Sequence, residues 1–268
     1  MKRANVIYLL LPTGSLIAWA IFSLVASMEW DIIIPFLVRS DKSVLDAFQT
    51  LLFGYGTFFQ PLDLFRHIGF SLTKVAFGYL IAVAVAVPLG IGMGWKENIG
   101  RLFYSMVELV RPIPPIAWIP IAILWFTATK PRFLPGVYYA GFIIFMGAFF
   151  PILLNTTAGV RGVSRIFVDA AYTLGAREGS ILRKVVIPGA MPSILTGMRV
   201  GMGVGWMCLV GAEIVNAQYG LGYITVLGMR LYDLGLVVAG MMLIGIIGLL
   251  IDTGFRRLED RLLPWHGK

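Results

Sequence analysis

Runs of about twenty apolar residues recur along this chain, and they constrain its fold more than any motif does. A helix needs about 20 residues to cross a hydrocarbon core about 30 Å thick. Six stretches reach that length: Val6 to Met28, Leu72 to Trp95, Leu102 to Phe126, Leu134 to Ala158, Ile194 to Ala217, and Leu234 to Ile251. A membrane barrel would instead show alternating segments of about ten residues, and the sequence has none. Only 13% of residues are charged, against about 25% in ordinary globular domains, and mean hydropathy is +0.84. Apolar surface in such excess has to face lipid. The expected fold is all-α, a polytopic membrane bundle of about six spans forming one domain over residues 1–268.

A formal charge of +8 would fit nucleic acid only if it were gathered into a patch. Instead the basic residues fall in the gaps between apolar runs, as membrane orientation requires, so no nucleic-acid partner is expected. With the N-terminus in the cytoplasm, the cytoplasmic gaps hold Lys2 and Arg3, Lys96 and Arg101, the five from Arg161 to Lys184, and the four from Arg256 to Lys268. The outer side holds fewer: Arg39, Lys42, Arg66, Lys74, Lys130, Arg132 and Arg230. Both termini are therefore expected inside. The first apolar run exceeds the roughly 7–15 residues of a signal-peptide core, so it reads as a retained span.

Chemistry-bearing sets are missing. Cys208 is the single cysteine, and His67 and His266 lie far apart. No serine–histidine–acid set, paired carboxylates or metal-ligand spacing can be assembled, so no catalytic residue, metal or cofactor is expected in this chain. There is no G-x4-G-K-[ST], so a nucleotide site would belong to a partner. "GIGMG" at Gly90 and "GMGVG" at Gly201 lie inside apolar runs, where glycine lets helices approach closely.

Charges inside spans are costly, roughly 2.5–3.5 kcal/mol each on insertion scales. The third run carries Glu108, Arg111 and the prolines Pro112, Pro114 and Pro115; the fifth carries Arg199 and Glu213. Glu108 and Arg111 are three apart, on one helix face, and are expected to offset each other. The prolines break helical hydrogen bonding, marking either a pathway or gate element or a structural kink. Arg199 reads as a pathway charge for an anion or a snorkelling interface residue. Glu213 reads as a gate or dimer contact, or likewise as an interface residue.

Two segments do not fit the span pattern. Residues 29–71 form a long outer segment in which "VLDAFQTLLF" and "PLDLFRHIGF" are apolar at helical spacing. They read as a surface helix pair against bundle or headgroups, or as part of an outer docking face. Between spans four and five, within residues 159–192, lies "DAAYTLGAREGSILRKVVIPGAMP". It is basic and too short of apolar residues to cross. Ser164 is placed to cap a helix, and Gly175 to end one in a left-handed conformation. A second helical run from Arg177 to Ile187 is then expected to end against Pro188. Ala170, Ala171 and Leu174 are expected on one face, small enough for a partner to approach.

Read from Asp169, the spacing D-A-A-x3-G-x9-V-x-I-P (Asp169, Ala170, Ala171, Gly175, Val185, Ile187, Pro188) resembles the E-A-A-x3-G-x9-I-x-L-P loop of ATP-binding-cassette (ABC) importer permeases. Asp, Val and Ile replace Glu, Ile and Leu. "RPIPPIAWIPIAILWF" from Arg111, "GAFFPILLNTTAGV" from Gly147 and the terminal "LLPWHGK" resemble the nitrate/sulfonate/taurine/bicarbonate branch. The likeness runs from about Leu72 to the C-terminus. "TATKPRFLPGVYY" (Thr127 to Tyr139) and the first 70 residues are less typical.

The resemblance implies a type I importer permease fold in the cell inner membrane, paired with a second copy of itself. It further implies two ABC ATPase subunits holding ATP-Mg, and an extracytoplasmic substrate-binding protein. The solute implied is small, polar and anionic. The loop would be the coupling helix, with Asp169, Ala170, Ala171, Leu174, Gly175, Arg177 and Pro188 carrying the ATPase contact. A self-sufficient channel or secondary transporter is the other reading, and it would need no such loop.

Overall fold

The computed structural model describes residues 44–53, 63–128, 136–216 and 218–263. The expected first span (Val6 to Met28), most of Thr127 to Tyr139, and most of the terminal "LLPWHGK" lie outside the described residues. Those described are helical with no strand. In chain order the helices are α1 (Val44–Phe53), α2 (Asp63–Trp95), α3 (Glu97–Val110), α4 (Ile119–Ala128), α5 (Val137–Arg161), α6 (Arg165–Thr173), α7 (Glu178–Ile181), α8 (Ile187–Asn216), α9 (Leu221–Arg230) and α10 (Leu234–Leu262). Among them α2, the run α7–α8, α5 and α10 are each long and apolar enough to cross a membrane.

The third expected span is not straight. Glu97–Val110 and Pro115–Phe126 meet at 82°, with a 3-10 turn over Pro115–Trp118 between α3 and α4. Pro112, Pro114 and Pro115 remove three N–H donors within four residues, so the helical ladder cannot continue. Glu108 and Arg111 are both exposed at this break, and the ion pair expected between them is not formed.

α5 lies at the centre, packed along α2 on one side and α8 on the other. Close approach is bought with small residues: a Cβ on Gly90 of α2 would lie 2.7 Å from Thr156 Cβ, and one on Gly201 of α8 2.7 Å from Ile152 Cγ1. Both glycine clusters thus serve helix packing, the usual device where lipid tails remove the hydrophobic drive. Across the bundle, α10 buries Leu236, Ala239, Gly240 and Leu243 and exposes Met241, Ile246, Leu249 and Leu250. One stripe packs; the other faces outward from the bundle.

Three boundaries differ from the sequence reading. α2 begins at Asp63, so "DLFRHIGF" is the extension of the second span rather than half of a surface helix pair. α1 is a separate helix, packed against α10 and α2 with Val44, Ala47 and Leu51 buried. The run after Arg177 does not stop at Pro188. A π-helical turn over Leu182–Val186 leads directly into α8, and Ile187 N–H donates to Leu182 C=O. That five-residue step widens the helix just where Pro188 has no N–H to give, so the ladder bypasses the proline.

Candidate coupling loop and candidate pathway residues

The loop between α5 and α8 is built around one left-handed residue. Gly175 has φ +76°, and a Cβ there would meet nothing within 4 Å. Glycine is needed for backbone conformation, not for space. Ala176 N–H donates to Ala171 C=O at 3.0 Å and Gly175 N–H to Tyr172 C=O at 2.9 Å, the paired bonds of a Schellman helix end. Ser164 occupies the N-cap position of α6 but makes no side-chain capping bond. Arg177 is exposed and starts α7, its carbonyl accepting from Ser180 and Ile181.

Which side of α6 faces out differs from expectation. Ala171 is half-buried and, with Val168 and Ala176, packs on Val160, Ile181, Val186, Ala190 and Ile194. Ala170 and Asp169 are exposed, and Leu174 is 88% exposed. Ile166, Phe167 and Tyr172 are exposed too. The outward face is therefore Ile166, Phe167, Ala170 and Leu174, while Ala171 anchors the helix from beneath. The aromatic and aliphatic members of that face went unread in the sequence, although large apolar residues in a loop that crosses nothing were the available signal. Trp95 at the end of α2 donates its indole N–H to Glu178 at 2.9 Å. α2, α5 and α8 all hold this knob in place.

The pathway candidates are not gathered into one site. Arg199 on α8 makes a bidentate contact with Asp252 on α10, Nε to Oδ1 at 2.7 Å and a second nitrogen to Oδ2 at 3.3 Å, and lies 3.8 Å from Glu259. Arg256 also reaches Asp252 at 2.9 Å. This guanidinium, read in the sequence as a pathway charge for an anion or as a snorkelling interface residue, ties α8 to α10 through Asp252 and Glu259.

Glu213 is fully buried and pairs with Lys74 of α2 at 2.8 Å. Its carboxylate also accepts from Ser71 Oγ at 2.8 Å and from the Gly222 N–H at 2.9 Å. Leu221 N–H donates to Ser71 Oγ, and Gly220 N–H to His67 Nδ1. Lys74 additionally donates to the Tyr219 carbonyl. The network fixes the start of α9 against α2 and the end of α8, at the end of the bundle opposite the loop. Lys74, assigned to the outer loops by its charge, is thus an interior residue. The signal for the pair was two opposite charges, each isolated in an apolar run.

The Pro112–Pro115 break does reach α8. Ile116 of the 3-10 turn packs over Gly211, whose added Cβ would lie 3.4 Å from Ile116 Cδ1, two residues before Glu213. In the same turn the Trp118 Nε1 is buried without a hydrogen-bond partner among the described residues.

An all-α membrane bundle with a knob docked beneath its central helices is a transporter-like arrangement, and sequence comparison decides the family. The family model for the binding-protein-dependent transport system inner membrane component matches residues 86–264. The chain belongs to this family. It is 40% identical over 257 residues to a Methanocaldococcus jannaschii protein described as an ABC transporter permease, covering 96% of this chain and 90% of that one. The taurine transport system permease of Escherichia coli is 34% identical, covering 88% and 83%. A bicarbonate transport system permease of Synechococcus elongatus is 32% identical, covering 72% and 67%. Among solved structures, the MetNI methionine ABC transporter in inward-facing conformations aligns at TM-score 0.66 with 19% identity, covering 75% of this chain and 96% of that one. The fold is that of an ABC importer permease. This membership excludes the channel and secondary-transporter reading.

Proposed function

We propose that this chain forms the translocation pathway of an ATP-driven importer for a small anion of the sulfonate or bicarbonate class. ATP-Mg would be hydrolysed by two separate ABC ATPase subunits beneath a pair of these chains, with a soluble protein delivering solute from the other face of the membrane. The single observation that carries the coupling part is the exposed Ile166–Phe167–Ala170–Leu174 face, held by a Schellman turn on a buried base. An apolar surface in a cytoplasmic loop cannot be covered by lipid, so a protein groove is its natural cover. Within this reading Asp169 and Arg177 flank the contact, Gly175 sets its turn, and Pro188 marks where the loop becomes α8. The loop end is cytoplasmic, and the Lys74–Glu213 end faces outward.

Relatives named for taurine, aliphatic sulfonate and bicarbonate transport support the solute class. The ties of Arg199 to Asp252 and Glu259 argue that charge attraction by α8 does not choose the anion. Native mass spectrometry of the complex extracted from its host tests the assembly. Two copies of the 29.5 kDa chain with two ATPase chains are expected; a homo-oligomer lacking ATPase across mild detergents would refute it. Uptake of labelled taurine and bicarbonate by the reconstituted complex then separates the two solute types.

A further inference from the structure

Where α2 ends and α3 begins, a cleft of 870 Å³ opens beside the end of α5. Three arginines from different elements line it: Arg101 on α3, Arg161 at the end of α5, and Arg165 at the start of α6. One carboxylate, Glu97, faces them and pairs with Arg101 at 2.7 Å. Arg161 gives one N–H to the Met93 carbonyl at 3.3 Å. Arg165 makes no hydrogen bond or ion pair to a described residue. Cationic charge therefore exceeds anionic charge in a concave site, and the Tyr104 and Ser105 hydroxyls add donors at its wall.

The neighbouring face of α3 is apolar. Leu102, Met106 and Leu109 are spaced at i, i+4 and i+7, on one side of the helix, and are 67%, 61% and 77% exposed. Trp95, an interfacial residue type, also lines the cleft. Arginines at the ends of spans, beside an apolar stripe, match the two halves of a phospholipid; basic pockets between spans on the cytoplasmic side take such headgroups. We propose that this cleft binds the phosphodiester of an anionic phospholipid, with acyl chains along Leu102, Met106 and Leu109. A free phosphate-bearing metabolite shares the headgroup chemistry but leaves the apolar stripe unused. The site depends on the chain lying in a membrane and not on its solute or ATPase, so its failure and the failure of the transport reading are distinguishable.

The test is native mass spectrometry of the intact complex, with phosphatidylglycerol or phosphatidylcholine of identical chains added at matched concentration. The wild type is expected to retain phosphatidylglycerol preferentially. Arg101→Gln/Arg165→Gln is expected to lower that retention about thirtyfold, from the loss of two cations facing an anionic headgroup. Both side chains are exposed, so this variant should keep the wild-type melting temperature. Leu102→Gln/Leu109→Gln should weaken retention of long-chain phosphatidylglycerol while sparing the arginines. Equal retention of the two lipids, or an unchanged phosphatidylglycerol preference in the arginine variant, would overturn the site. Displacement by glycerol 3-phosphate as effective as by the long-chain lipid would overturn the lipid assignment.

Discussion

At the scale of single residues, the Lys74–Glu213 pair has the largest consequence. Both side chains are essentially excluded from solvent, at 2% and 0% exposure, so each charge is tolerable only because the other is present. Removing one partner of a buried pair costs about 3–5 kcal/mol, whereas replacing both is often neutral. Lys74→Met alone should therefore lower the melting temperature of the solubilised protein sharply, and Lys74→Met/Glu213→Gln should recover much of the loss. Equal melting of wild type and the single variant would mean the pair is not desolvated. Gly175 illustrates the opposite case, a constraint of backbone with no packing. At φ +76° an ordinary side chain costs roughly 1–2 kcal/mol, while asparagine visits that region routinely. Uptake driven by ATP should fall with Gly175→Val and survive Gly175→Asn, a contrast that crowding alone would not produce.

At the scale of elements, helix–helix contacts and helix breaks carry different information in the sequence. Span existence was legible because hydropathy accumulates over twenty residues, and Leu234 to Ile251 lies within α10. Boundaries were not legible where charge interrupts hydropathy: Arg66 and His67 cut the second run short at Leu72, yet α2 begins at Asp63, with His67 and Lys74 buried against α8 and α9. The pairing of positions 74 and 213 depends on tertiary topology, which periodicity does not encode. Pro188 misled for a local reason, since a π turn absorbs the missing donor.

The glycines were readable as packing residues, but their partners were not. Gly78 of α2 meets the backbone of Gly141 on α5 so closely that an added Cβ would overlap its carbonyl. Gly78→Ala should thus wedge α2 from α5 and cost about 1–3 kcal/mol by overpacking, visible as reduced thermal stability. Gly203→Ala, with open space around it, is the control. The 82° break predicts a distance. With Pro112, Pro114 and Pro115 all changed to Ala, α3 and α4 can join, and spin labels at Leu102 and Leu124 should separate toward the roughly 33 Å of a straight 22-residue rise. An unchanged distance distribution would assign the bend to packing against α8 instead.

At the scale of the whole molecule, α8 connects the two ends that matter. It begins in the π turn beneath the loop and reaches Glu213 about 39 Å away at 1.5 Å per residue, passing Arg199 with its tie to α10 on the way. The loop base is shared with α5 through Val160 and with α2 through Trp95 and Glu178. A push on the knob therefore acts on three spans together, and a rigid-body change of these helices about the bundle is the mode of response open to such a base. Leu174 is where that push would enter, because it is 88% exposed and supports no interior contact that folding needs. Leu174→Glu places a charge in the proposed apolar contact without disturbing the Schellman turn. It should leave the melting temperature unchanged, since surface substitutions usually act within about 0.5 kcal/mol. Coupled uptake and co-purifying ATPase should both fall, by roughly tenfold or more if the contact is fully desolvated. Lys74→Met gives the reverse pattern, with stability lost at the far end and ATPase association retained. If Leu174→Glu transports and retains ATPase like the wild type, the exposed face of α6 is not the surface through which ATP hydrolysis drives this bundle.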